Sequence, residues 1–128
     1  MQYNEFINAV VERGGAVDRQ TAQSVSHTVL ADLGQRLDPG EAKDLAEQLP
    51  QELAHAVTER AASGPVADDV DDFLRRVAEH LGAGTDPEAA RIHVTAVFST
   101  LTKAVSAGEI DDLRSQLPAG FAAFLDNS

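Results

Sequence analysis

The chain is written twice, and that repetition limits the possible folds more than any other feature of it. Leu37-Asp38-Pro39-Gly40-Glu41-Ala42-Lys43-Asp44-Leu45-Ala46-Glu47-Gln48-Leu49-Pro50 returns, 68 positions later, as Val105-Ser106-Ala107-Gly108-Glu109-Ile110-Asp111-Asp112-Leu113-Arg114-Ser115-Gln116-Leu117-Pro118. At that shift Asp18 meets Asp86, Ala22 meets Ala90, Val29 meets Val97 and Leu33 meets Leu101. Upstream the shift is 67, pairing Phe6, Ile7, Val10 and Glu12 with Phe73, Leu74, Val77 and Glu79. The difference places a one-residue insertion in the Gly82 to Gly84 loop. Repetition at such a period fixes architecture and leaves chemistry open.

Each copy reads as a series of helices. Tyr3, Phe6, Ile7 and Val10 recur at the spacing of one helical face, and Val70, Phe73, Leu74, Val77 and Leu81 repeat the stripe. Gly14-Gly15 and Gly82 suit helix C-termini, with new helices opening behind Asp18 and behind Thr85 or Asp86. Thr85 and Glu88 stand at capping-box spacing around Pro87. The long second helix presents Ala22, Val25, Val29, Leu33 and Leu37, and its counterpart Ala90, Val94, Val97, Leu101 and Val105.

A short third helix follows, with Asp38 and Glu41, or Ser106 and Glu109, again at capping-box spacing. Gly40 and Gly108 weaken a helical first turn, so a start at the glutamate is the alternative. Pro50 and Pro118 close this helix and suit the first position of a fourth. That last helix buries Leu53, Ala56 and Val57, or Phe121, Phe124 and Leu125. No segment alternates as a strand would. The expectation is an all-α fold: a single helical bundle of two tandem pseudo-repeats, each of about four helices, forming one domain over 1–128. Repeat one spans 3–60, a linker 61–67 and repeat two 68–126, since about 60 residues alone bury a marginal core.

Composition narrows function by exclusion. Ten Lys and Arg against 21 Asp and Glu give a formal net charge of −11, shared evenly by the two copies. Such a field repels phosphate backbones and anionic headgroups, so neither nucleic acid nor membrane is an expected partner. Without cysteine, thiolate metal sites, disulfides and thiol nucleophiles are ruled out. The start Met1-Gln2-Tyr3-Asn4-Glu5 has no basic, apolar signal pattern, and a cytoplasmic location is expected.

The motifs Tyr3-Asn4-Glu5-Phe6-Ile7, Gly40-Glu41-Ala42-Lys43-Asp44-Leu45 and Gln48-Leu49-Pro50 are echoed by Asp72-Phe73-Leu74, Gly108-Glu109-Ile110-Asp111-Asp112-Leu113 and Gln116-Leu117-Pro118. In order and spacing they resemble the bacterial domain of unknown function 2267 family (DUF2267), over nearly the whole chain. The resemblance implies an all-helical soluble bacterial protein and supplies no catalytic residue.

Candidate chemistry is thin. Glu52-Leu53-Ala54-His55 has the E-x-x-H spacing of di-iron bundles, but its twin reads Gly120-Phe121-Ala122-Ala123. The run Asp68-Asp69-Val70-Asp71-Asp72 lacks the EF-hand spacing and suits the positive end of a helix. Gly82-Ala83-Gly84-Thr85 precedes a helix but lacks the lysine of a phosphate loop. Ser26-His27-Thr28 points its side chains apart. No catalytic, cofactor-binding or metal residue is therefore assigned.

Five residues remain as binding candidates. His93 stands beside the buried stripe, opposite Val25 in the alignment of copies, and reads first as a core-edge histidine. Asp44 and Gln48, like Asp112 and Gln116, lie four apart on one helical face beside Leu-Pro corners. They read either as side chains satisfying main-chain groups at those corners or as a pair of binding grooves. The expected function is a non-catalytic protein-interaction module with an unknown protein partner. A small-ligand binder or an enzyme using a pocket between the repeats is the alternative.

Overall fold

The computed structural model describes residues 1–14, 16–61, 69–82 and 84–126. Among them it is all-α. The helices are α1 (Tyr3–Glu12), α2 (Arg19–Arg36), α3 (Pro39–Glu47), α4 (Gln51–Thr58), α5 (Val70–Leu81), α6 (Pro87–Ala104), α7 (Ala107–Gln116) and α8 (Ala122–Asp126). A 3₁₀ turn over Ala119–Phe121 leads into α8. The two 18-residue helices, α2 and α6, start and end 68 positions apart, the spacing of the sequence repeat.

Local chemistry sets most of these bounds. The side chains of Asp18, Asp69 and Asp86 accept from the amides of Thr21, Asp72 and Ala89, each at 2.8 Å, and so open α2, α5 and α6. For α6 this corrects the capping box placed on Thr85. Asp86 is the cap, with Pro87 in the first turn, because one carboxylate positioned before a proline leaves Thr85 outside the helix. Gly14 and Gly82 take φ of 82° and 97° where α1 and α5 end, a region costly for any residue with a Cβ.

Three further details depart from the sequence reading. α3 and α7 begin at Pro39 and Ala107, so Gly40 and Gly108 are helical and the start at the glutamate is not taken. Pro50 and Pro118 sit one position before their helices, with extended ψ, as the residues that redirect the chain. The linker expected at 61–67 lies, apart from Ala61, outside the described residues.

The anticipated stripes form one continuous core. Phe6, Ile7, Val29, Leu33, Leu53, Phe73, Val97, Leu101 and Phe121 are completely buried. The first half is packed with aliphatic side chains around a single buried phenylalanine, Phe6. The second is built on four phenylalanines, where Phe73, Phe98, Phe121 and Phe124 meet edge to face with centroids 5.1–6.4 Å apart. α2 also approaches α4 through Gly34, where an added Cβ would lie 1.8 Å from the Val57 carbonyl oxygen. The halves meet through α2 against α5 and α6, α1 against α6, and α3 against α7. No described helix is long and apolar enough to cross a membrane.

Candidate functional site

Two seams between the halves hold the three buried acidic side chains of the described residues. The first is centred on Asp32, which lies seven residues after Val25 and three after Val29 and so falls on the buried stripe of α2. Its carboxylate is fully buried. Burying that charge is costly unless it is paired, and three cationic or hydrogen-bonding groups meet it. Arg60, just past α4, donates from Nη1 at 2.7 Å, and Arg76 of α5 donates from Nη1 at 3.1 Å. Arg76 also reaches the Asp32 carbonyl and Gln35 Oε1, both at 3.1 Å. His80, one turn along α5, places Nδ1 2.9 and 3.0 Å from the two carboxylate oxygens.

At the equivalent positions of the other half the chemistry differs. Asp32 aligns with Thr100, which is buried and bonds its own helix at the Ala96 carbonyl, 2.8 Å away. His80 aligns with Arg13, which crosses from α1 to donate to Ser99 Oγ at 2.8 Å. Among the described residues the charge network therefore exists on one side only.

The second seam joins α3 and α7 and holds the repeated motif. In a capping box the third residue of a helix accepts from the amide of the N-cap. Here the glutamines of the opposite half do that work. Gln48 Oε1 accepts from the Ser106 amide at 2.7 Å, and Gln116 Oε1 accepts from the Asp38 amide at 3.3 Å. Asp38 and Ser106 are the N-caps of α3 and α7, so each short helix is closed by its counterpart.

The glutamates expected to fill the capping box are thereby released from it. Glu41 and Glu109 turn inward and are buried, each four residues before a core leucine, Leu45 or Leu113. They face each other, and with the exposed Asp112 they bring ligand oxygens within 4.8 Å of one another. As carboxylates, Glu41 Oε1 and Glu109 Oε2 are buried without a hydrogen-bond partner. Burial, a hydrogen bond to Glu109, and the negative charges of Glu109, Asp112 and Asp44 push the Glu41 carboxyl up to about 8. A proton on Glu41 converts two mutually repelling acceptors into a donor and an acceptor.

Of the residues singled out from sequence, Gln48, Gln116 and Asp112 are brought together at this seam. Asp44 is exposed on the outer face of α3 and acts on Glu41 through its charge. His93 is half-buried elsewhere, in an open groove of about 330 Å³ that also takes Gln20, Thr21, Ser24 and Val25 from α2 and Leu81 and Thr85 from the second half. Glu52 and His55 are both exposed. His27 bonds the Tyr3 hydroxyl at 3.2 Å rather than either neighbouring hydroxyl.

Sequence reasoning missed Asp32, Arg60, Arg76 and His80, and it assigned Glu41 and Glu109 to capping. A signal was present for all three acids. Asp32 occupies a stripe position, and Glu41 and Glu109 share a face with core leucines, which is where an acid demands an explanation.

No curated protein matches the chain. A family model does, over residues 3–124, with the repeated motifs, the reciprocal glutamine caps and the facing glutamates all inside the match. The chain belongs to the family described as uncharacterized conserved protein (DUF2267).

Proposed function

We propose that the protein is a non-catalytic interaction module that docks a partner carrying a basic surface. The observation behind this reading is the way charge is divided between inside and outside. Arg60 and Arg76 are engaged with Asp32, Arg13 with Ser99, Arg19 with Asn4, Arg75 with Asp72 and Arg114 with Asp126. At least six of the ten basic side chains are thus engaged within the fold, while seventeen of the 21 acidic residues are exposed. An outward field of one sign draws a complementary surface and speeds its encounter. At both seams polar side chains join helices, through Asp32 at one and the reciprocal glutamine caps at the other, which suits a scaffold better than a reaction centre.

Cross-linked affinity capture from the native cell, washed at increasing salt, tests this. Basic proteins should be retained at about 0.05 M salt and released by about 0.5 M, where screening removes the attraction. Reproducible capture indifferent to salt, or no capture above an unrelated acidic protein, would refute docking by charge.

The groove around His93 supports a second reading, a small-ligand site. It draws on both halves and, at about 330 Å³, has the volume of a small ligand pocket. A ligand of that site would raise the melting temperature of the parent protein and leave that of His93→Ala unchanged.

A further inference from the structure

The α3–α7 seam contains an oxygen-only donor set that, once ionised, no hydrogen-bond donor within the described fold completes. Two carboxylates, on Glu41 and Glu109, are more than nine-tenths buried, and when both are ionised one oxygen of each has no hydrogen-bond donor. Buried polar atoms are seldom left so. Both orphaned residues belong to the group that, with Asp112, collects its oxygens within 4.8 Å. The backbone amides nearest to the glutamates in the helix starts are already taken: Ser106 Oγ holds the Glu109 amide at 3.2 Å, and Gln48 and Gln116 hold the N-cap amides. Rearrangement toward these donors would break an existing bond.

We propose that Glu41, Glu109 and Asp112 bind a hard divalent cation of the calcium class that bridges the two halves. Oxygen donors without nitrogen or sulfur select this class of ion. The three carboxylates lie close enough together for one ion to span them. Exposed Asp112 supplies an entry side, where water would complete the coordination. The sequence expectation of no metal weighed His55 and the Asp68–Asp72 run, and these three residues meet only when α3 and α7 pair.

The inference is independent of docking, because it concerns an ion held within one chain. Calorimetric titration of the chelator-stripped protein with CaCl2 at about pH 8.5 tests it, since the carboxyls must be ionised to bind. One calcium per chain is expected. Glu41→Gln and Glu109→Gln should each weaken calcium binding by about tenfold or more, and Asp112→Asn, on the surface and harmless to the core, by a smaller factor. Asp71→Asn, on the exposed start of α5, should leave it unchanged. Absence of saturable heat up to about 10 mM calcium, beyond the weakest calcium modules, would overturn the proposal. So would equal weakening by Asp71→Asn, or calcium affinity indifferent to Asp112→Asn and to both glutamine variants.

Discussion

The two seams solve opposite electrostatic problems. At Asp32 a buried negative charge is surrounded by Arg60, Arg76 and His80, so attraction offsets the desolvation cost. At Glu41 and Glu109 like meets like, and no described cation stands beside the pair. The difference follows from the repeat. A residue written at the same place in both copies can be brought against itself where equivalent helices pair, as α3 and α7 do. Where the copies have diverged, as at Asp32 and Thr100, opposite or neutral chemistry can be placed across the contact. Divergence produces a fixed joint, and repetition of an acid produces a joint whose strength depends on what proton or ion it holds.

Breaking the satisfied seam should have the largest effect. Asp32→Ala leaves two guanidinium groups beside a buried vacancy without their counter-charge, and loss of one member of such a set costs about 3–5 kcal/mol. Because Asp32 is on α2 and Arg76 and His80 are on α5, the loss should fall on both halves. A single, strongly lowered unfolding transition is the expected calorimetric result. Two transitions, with only one displaced, would show that the halves melt separately and that the network joins them weakly.

The like-charge seam should respond to pH, and with a definite sign. Glu41 is raised in the folded state from 4.5 to about 8, so the folded protein binds more protons than the unfolded one between those values. The stability it contributes is complete below about 4.5 and is lost as pH rises through about 8. Glu41→Gln carries a permanent amide donor toward Glu109 and escapes that loss. In chelator, the variant should match the parent near pH 5 and exceed it by roughly 1–3 kcal/mol near pH 9. Parallel stability curves for the two proteins would show that the facing carboxyls do not share a proton.

Legibility from sequence divides along the same line. Periodicity alone placed Phe6, Val10, Val29, Leu33, Val97 and Leu101 in the core, because burial of an apolar stripe is a local property of one helix. The all-α fold and its family follow from such stripes and from the repeated motifs. The seams depend instead on which helices pair. Gln48 was legible as a residue that satisfies main-chain amides, but its partner, Ser106, stands 58 positions away. Glu41 was misread because capping-box spacing describes a helix in isolation, and here the amide is taken by a glutamine from another helix.

The smallest effect comes from those glutamines, and it separates structure from binding. Each satisfies one partly exposed N-cap amide, so Gln48→Ala and Gln116→Ala should each cost about 0.5–1.5 kcal/mol. Gln48 should be the costlier, since its bond to the Ser106 amide is 2.7 Å long and that of Gln116 to the Asp38 amide is 3.3 Å. A consequence reaches the glutamates as well. With Gln116 gone, the Asp38 amide becomes available to Glu41, the residue that capping-box spacing places nearest to it. Gln116→Ala should then move Glu41 out of the acidic pair and flatten the pH dependence in part, while Gln48→Ala should act in the same way through Glu109. Chemical denaturation at about pH 6 and about pH 9 checks both. Unchanged stability of both variants at both pH values would mean that the reciprocal caps do not hold the seam, and the repeated glutamines would then stand as surface residues open to a partner.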